Sequence, residues 1–164
     1  MAELSFREEP KASDRSTIAS LLHKTAFFSS DEEEIGVSLV DERLGKGISC
    51  GYLFVLAEKD DRLVGYSCYG PIPGTLDGFD LYWIAVDPDC QGTGYGSMIL
   101  AATQARVVAA GGKRLYAETS STVLYVPTRA FYERNGFFLE GRLADYYAPS
   151  DDKMLYVKHL RGNM

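Results

Sequence analysis

The chain has 164 residues, of which 46% are hydrophobic and 24% charged. That is ordinary globular composition for one domain, 1–164, and it excludes a disordered or collagen-like chain. Its net charge of −6 argues against a nucleic-acid partner bound through a basic surface and suits a cationic one.

The longest purely apolar run, Tyr52 to Ala57, falls far short of the roughly 20 residues of a spanning helix, so no membrane partner is expected. Met1-Ala2-Glu3 carries no basic-then-apolar leader, and three cysteines (Cys50, Cys68, Cys90) without CxxC spacing read as reduced thiols in a cytoplasmic protein. With only His23 and His159 as histidines, no metal pattern is present.

In chain order, Leu4 to Arg7 is a short strand candidate. Behind Ser13-Asp14, the residues Ile18, Leu21, Leu22 and Thr25 fall at helical spacing. Ser30-Asp31-Glu32-Glu33 has the form of a capping box opening a second helix to about Leu44. The period then changes: Tyr52 to Lys59 and Arg62 to Gly70 are strand-like runs joined by Asp60-Asp61, a hairpin. Pro71 to Gly78 is a loop, and Phe79 to Asp87 is an apolar, central strand. Tyr95 to Ala110 reads as a helix ended by Gly111-Gly112, and Arg114 to Thr119 as the next strand. Pro127 opens a short helix that Asn135-Gly136 ends. Phe137 to Leu143 and Lys153 to Leu160 close the chain as strands around a turn at Pro149 to Asp152. The order βααββ, βαβ, αββ predicts an α/β fold with a mixed sheet.

Gln91-Gly92-Thr93-Gly94-Tyr95-Gly96-Ser97 lies between a central strand and a helix. Glycines let the backbone approach a ligand, and the free amides of a helix's first turn favour an anion, so a phosphate or pyrophosphate is the natural guest. The nucleoside-triphosphatase loop is excluded because no Lys follows these glycines. The dinucleotide fingerprint is partly met by Gly92, Gly94 and Ser97, yet Gly92 lies six residues beyond Val86 and no second doubly-wound half follows.

A third pattern matches at every required position: Val86-Asp87-Pro88, then Gln91-Gly92-Thr93-Gly94-Tyr95-Gly96. This resembles the GNAT (Gcn5-related N-acetyltransferase) superfamily, which binds acetyl-coenzyme A. Thr128 to Phe137 (TRAFYERNGF) is similar to the family's FYExxGF segment, and the element order is also the family's. The resemblance implies an acyl-CoA N-acyltransferase fold in which the strand before the loop splays from its neighbour. The main chain of Ile84, Ala85 and Val86 would then pair with the pantetheine arm. The amides of Gly92, Thr93, Gly94, Tyr95, Gly96 and Ser97, after Gln91, would hold the pyrophosphate, with Arg134 near the phosphates or simply solvated.

Tyr132 matches the family's tyrosine that protonates the departing thiolate; its other reading is a core aromatic among Phe131, Phe137 and Phe138. Asp80 and Glu118 are alternative general bases, and water alone is a third route. The acids Asp31 to Glu34 would attract a cationic amine, or merely favour the first turn of a helix. Asp145-Tyr146-Tyr147-Ala148-Pro149 would line the acceptor pocket or form a contact with a second copy of the chain, a homodimer. The expected activity is acetyl transfer from acetyl-CoA to a primary amine of a small molecule or peptide. The alternative is a non-catalytic acyl-CoA-binding module on the same fold.

Overall fold

The computed structural model describes residues 3–161. The elements follow the expected order: β1 (Ser5–Arg7), α1 (Asp14–Lys24), α2 (Ser30–Lys46), β2 (Leu53–Lys59), β3 (Arg62–Pro71), β4 (Gly78–Val86), α3 (Tyr95–Ala109), β5 (Arg114–Ser120), α4 (Val126–Arg134), β6 (Phe138–Ala148) and β7 (Asp151–His159). The strands form one mixed seven-stranded sheet in the order β1-β2-β3-β4-β5-β7-β6. β1/β2, β2/β3, β5/β7 and β6/β7 pair antiparallel, and β4/β5 pair parallel. β4, apolar in sequence, is fourth of the seven, as its composition predicts.

Residue contacts divide the chain into two compact units, Met1–Gly70 with Trp83–Ala105, and Pro71–Tyr82 with Arg106–Met164. In the first, Ile18, Leu21 and Leu22 form the buried stripe of α1, packed in one cluster with Val40 of α2 and Phe54 and Leu56 of β2. Each such side chain contributes about 1.5–3 kcal/mol when fully buried. Asp60 and Asp61 both take positive φ, 52° and 59°, the twist that a two-residue hairpin requires. The cap of α2 differs from the sequence expectation by one residue. Ser29 is the N-cap, and its hydroxyl accepts from the Glu32 amide while the Glu32 carboxylate accepts from the Ser29 amide. Two adjacent serines, each with a glutamate three positions on, offered the same chemistry, and the helix uses the first.

In the second unit Leu115 and Ala117 of β5 and Tyr156 and Val157 of β7 are buried. The closing hairpin also departs from expectation. β6 runs on through the tyrosine segment to Ala148, but its register with β7 jumps from Leu143↔Lys153 to Ala148↔Asp151. The segment 144–147 therefore faces Asp152 alone, a wide bulge with Asp145 at φ 52°. The turn itself is shorter than expected, with Ser150 at φ 65°.

Candidate active site

In the first unit, β4 ends at Val86 and the chain turns at Asp87-Pro88. Asp87 caps the short 3-10 turn Pro88–Cys90 through the Asp89 amide, 2.9 Å away, and its own amide donates to the Val64 carbonyl of β3 at 2.8 Å. Lys24, in the last turn of α1, reaches Asp87 at 2.8 Å and Asp89 at 2.6 Å. Burial opposes ionisation of Asp87, but the Lys24 ammonium and the Asp89 amide hold its pKa below the usual carboxylate value. The turn is thus staked to both α1 and β3.

Beyond it, the Gln91 side-chain amide donates to the Val86 carbonyl at 3.3 Å, and the Thr93 hydroxyl donates to the Cys90 carbonyl. Gly92 and Gly94 take φ of 78° and 83°, and a Cβ at either would meet nothing within 4 Å. These two glycines are therefore required by backbone conformation, and the space before them is open. The amide of Met98 closes the first turn of α3 on the Gly94 carbonyl at 3.1 Å. The amides of Tyr95, Gly96 and Ser97 precede that first helical bond and are the ones a helix start presents to an anion. Lys59 lies 5.8 Å from the Tyr95 ring centroid, adding positive charge beside the helix start. This cradle fits a diphosphate. The paired register of β4 with β5 runs from Gly78↔Arg114 to Leu81↔Ala117, and Ile84, Ala85 and Val86 lie beyond it.

In the second unit, Asp80 stands opposite Tyr116 in the β4/β5 ladder and is half-buried. Burial, and then the charge of Glu118, push its pKa above the usual aspartate value, with Lys153 pulling the other way. Glu118 itself is ion-paired to Lys153 at 2.7 Å. The Lys153 ammonium also lies 4.4 Å from the centroid of the Tyr146 ring. Although burial opposes its charge, Glu118 holds its pKa up. Of the two base candidates, Asp80 has the raised pKa, while Glu118 already has a cation. Tyr147 lies in the same field, its pKa raised by burial and then by Glu118.

Tyr132 in α4 is buried, with ring centroids of Phe137, Phe131 and Tyr156 at 5.3, 5.7 and 5.9 Å. The ring is thus a core aromatic, one of the two sequence expectations, and burial pushes the pKa of its hydroxyl above the usual tyrosine value. Arg134 is exposed in the last turn of α4. Arg129, from the same helix, donates to the carbonyls of Ser120 and Thr122 at 2.7 and 2.9 Å, fixing the segment after β5. The acids of α2 act as the cap expectation has them, Glu32 closing the capping box. Sequence patterning missed Lys24, Lys153, Asp152 and Arg129. Lys24 meets Asp87 from 63 residues away, and no local spacing signals such a contact. Among the described residues, no group of His, Cys, Asp or Glu could hold a metal, and no helix is long and apolar enough to cross a membrane.

A mixed sheet whose middle strand leads through a glycine turn into a helix start is the architecture of the coenzyme-A-dependent acetyltransferases, and the comparisons agree. The family model of the acetyltransferase (GNAT) domain matches residues 50–138. A crystal structure from Desulfovibrio desulfuricans assigned to the GNAT acetyltransferases is 42% identical, covers 97% of this chain and 100% of its own, and superposes with a TM-score of 0.95. The chain belongs to the GNAT family of acetyltransferases. The ribosomal-protein-S18-alanine N-acetyltransferase of Escherichia coli shares the fold at 20% identity, covering 99% of this chain and 97% of its own, with a TM-score of 0.75. An aminoglycoside 6'-N-acetyltransferase complexed with coenzyme A does so at 18% identity, 99% of both chains and a TM-score of 0.76. No curated protein matches the chain.

Proposed function

We propose that the chain is a cytoplasmic, single-domain, acetyl-CoA-dependent N-acetyltransferase whose acceptor is a primary amine of a small molecule or peptide. The observation that carries this is the pair of left-handed glycines, Gly92 and Gly94, opening α3. The amides from Gly92 to Ser97 hold the pyrophosphate, and the edge of β4 at Ile84, Ala85 and Val86 pairs with the pantetheine arm. Two of the three relatives named above are N-acetyltransferases, one for a ribosomal-protein alanine and one for an aminoglycoside, which supports an amine acceptor of either size.

Acetyl-CoA supplies a thioester carbonyl to which the amine nitrogen bonds as the carbon–sulfur bond breaks. Asp80 takes the proton that the amine gives up, and burial, by raising its pKa, makes it a stronger base than an ordinary aspartate. Glu118, ion-paired to Lys153, supports Asp80 by raising its pKa through its charge. Tyr132, held protonated by burial, gives its proton to the departing sulfur. Such a donor contributes typically 10²–10⁴-fold.

The test is thermal unfolding with ligands. Acetyl-CoA at a hundred times its Kd should stabilise the fold by about 2.7 kcal/mol, while NAD and ATP leave Tm unchanged. A shift with NAD and none with acetyl-CoA would overturn the assignment. Slow thiol release that ignores added amine would favour the acyl-CoA-binding module instead.

A further inference from the structure

Thr119 of β5 carries a cost that packing does not explain. The residue is 5% exposed, and its hydroxyl has no hydrogen-bond partner among the described residues. A buried hydroxyl left unpaired destabilises a fold. Valine would fill the same volume and suit a strand at least as well. A polar group in this position calls for a partner from outside the fold.

Two ladders place the hydroxyl. β5 pairs with β4 as far as Leu81↔Ala117 and with β7 on to Ser120↔Lys153, so Glu118 and Thr119 stand just past the end of the β4 ladder. Strand alternation puts Glu118 on the face of Asp80 and Lys153, and Thr119 on the opposite face. On that face Ala117 stands opposite Tyr156, and Thr119 opposite Met154. The Tyr156 ring centroid lies 5.9 Å from that of Tyr132, and the Tyr156 hydroxyl donates to the Glu133 carboxylate at 3.3 Å, so α4 covers Thr119's side of the sheet. Arg129, one turn before Tyr132, donates to the Ser120 carbonyl at 2.7 Å. Helix side chains lean toward the N-terminus, which tilts Tyr132 toward the Thr119 end of β5. Acid and base thus occupy opposite faces of β5, and Thr119 lies on the side of the acid.

We propose that the Thr119 hydroxyl donates a hydrogen bond to the sulfur of the coenzyme, holding the charge that gathers there as the thioester opens. This rests on the acetyltransferase reading above. The amine nitrogen bonds to the carbonyl carbon, and the electron pair of the carbon–sulfur bond passes to sulfur. Tyr132 supplies the sulfur's proton, while Thr119 keeps its own. A thioester sulfur is a weak acceptor and a thiolate a strong one, so the contact strengthens toward the transition state. Burial raises the pKa of Tyr132, which makes its proton transfer to a thiolate of pKa ~8.5 uphill. A second donor lets the bond break before that proton has fully moved.

The test compares Thr119→Val, which keeps the volume and removes the hydroxyl, with Thr119→Ser, which keeps the hydroxyl and removes a methyl. Thr119→Val should lower the single-turnover rate of acetyl transfer about tenfold, the scale of one hydrogen bond to a charged group. The Kd for acetyl-CoA should change little, and Thr119→Ser should keep most of the rate. A packing role predicts the reverse order of the two variants. That order would overturn the proposal, as would an unchanged rate in folded Thr119→Val. Calorimetry with CoA and desulfo-CoA, in which hydrogen replaces the thiol, reads the contact without turnover. The preference for CoA should shrink about threefold in Thr119→Val, the scale of a neutral hydrogen bond, and survive in Thr119→Ser. An equal preference in wild type and Thr119→Val would also overturn the proposal. If acetyl-CoA binds and no amine is acetylated, the enzymatic reading fails, and the calorimetric comparison still decides the Thr119 contact.

Discussion

The Lys24 ammonium lies 2.8 Å from the Asp87 carboxylate, tying the end of α1 to the turn that delivers the glycine segment. That carboxylate also caps the next turn through the Asp89 amide, so one ion pair fixes the exit angle of the chain from β4. Lys24→Met should therefore act on ligand affinity more than on the fold. Calorimetry should show the Kd for acetyl-CoA rising by about threefold, the scale of one part-exposed ion pair, with Tm nearly unchanged. An unaltered Kd would mean the turn holds its shape without the lysine.

Gly94→Val should abolish acetyl-CoA binding and leave the domain folded. Valine at φ 83° costs on the order of 1–2 kcal/mol in backbone strain. Its Cβ meets no protein atom within 4 Å, so what it obstructs is the ligand. Gly96→Val should weaken binding by occupying the first turn of α3. Circular dichroism confirms folding and calorimetry reads binding; two folded variants that bind normally would place the phosphate cradle elsewhere.

Most of the fold was legible because it rests on local periodicity. The 3.6-residue spacing of Ile18, Leu21 and Leu22 and the apolar run of β4 each announce an element before any tertiary contact exists. The glycine turn was legible for a related reason: positive φ and open helix amides are backbone properties that few residue types satisfy. Lys24 with Asp87, Lys153 with Glu118 and Asp152 with Asp145 were not legible. Each is a pairing of polar residues distant in sequence or on different strands, created only when strands and helices meet. The bulge of β6 escaped notice because a non-glycine residue, Asp145, takes positive φ, and its support comes from Asp152 on the next strand.

Tyr132→Phe removes one oxygen and keeps the ring that packs on Phe137 and Tyr156. Folding and the Kd for acetyl-CoA should change little, while kcat falls by about tenfold or more where chemistry limits turnover. An unchanged kcat under that condition would reduce the hydroxyl to a core group.

Asp80 carries a pKa raised first by burial and then by Glu118. A carboxyl that binds its proton more tightly in the folded state contributes stability fully present below its unfolded value, near 3.8, and lost as pH rises through the folded value. Asp80→Asn should accordingly raise Tm at neutral pH, and the gain should shrink as pH falls through the folded pKa of Asp80 toward 3.8. In the same variant kcat/KM should drop and lose its acid limb, which in wild type lies above the ordinary aspartate range. A persisting acid limb would assign the base to Glu118 or to water.

The most direct test of acetyl transfer follows both products in one reaction, free thiol and N-acetylated amine, with acetyl-CoA as donor and a panel of primary amines as acceptors. The account predicts thiol release that rises with amine concentration and matches the acetylated amine mole for mole. Thiol release independent of every amine, with no acetylated product by mass, would contradict it.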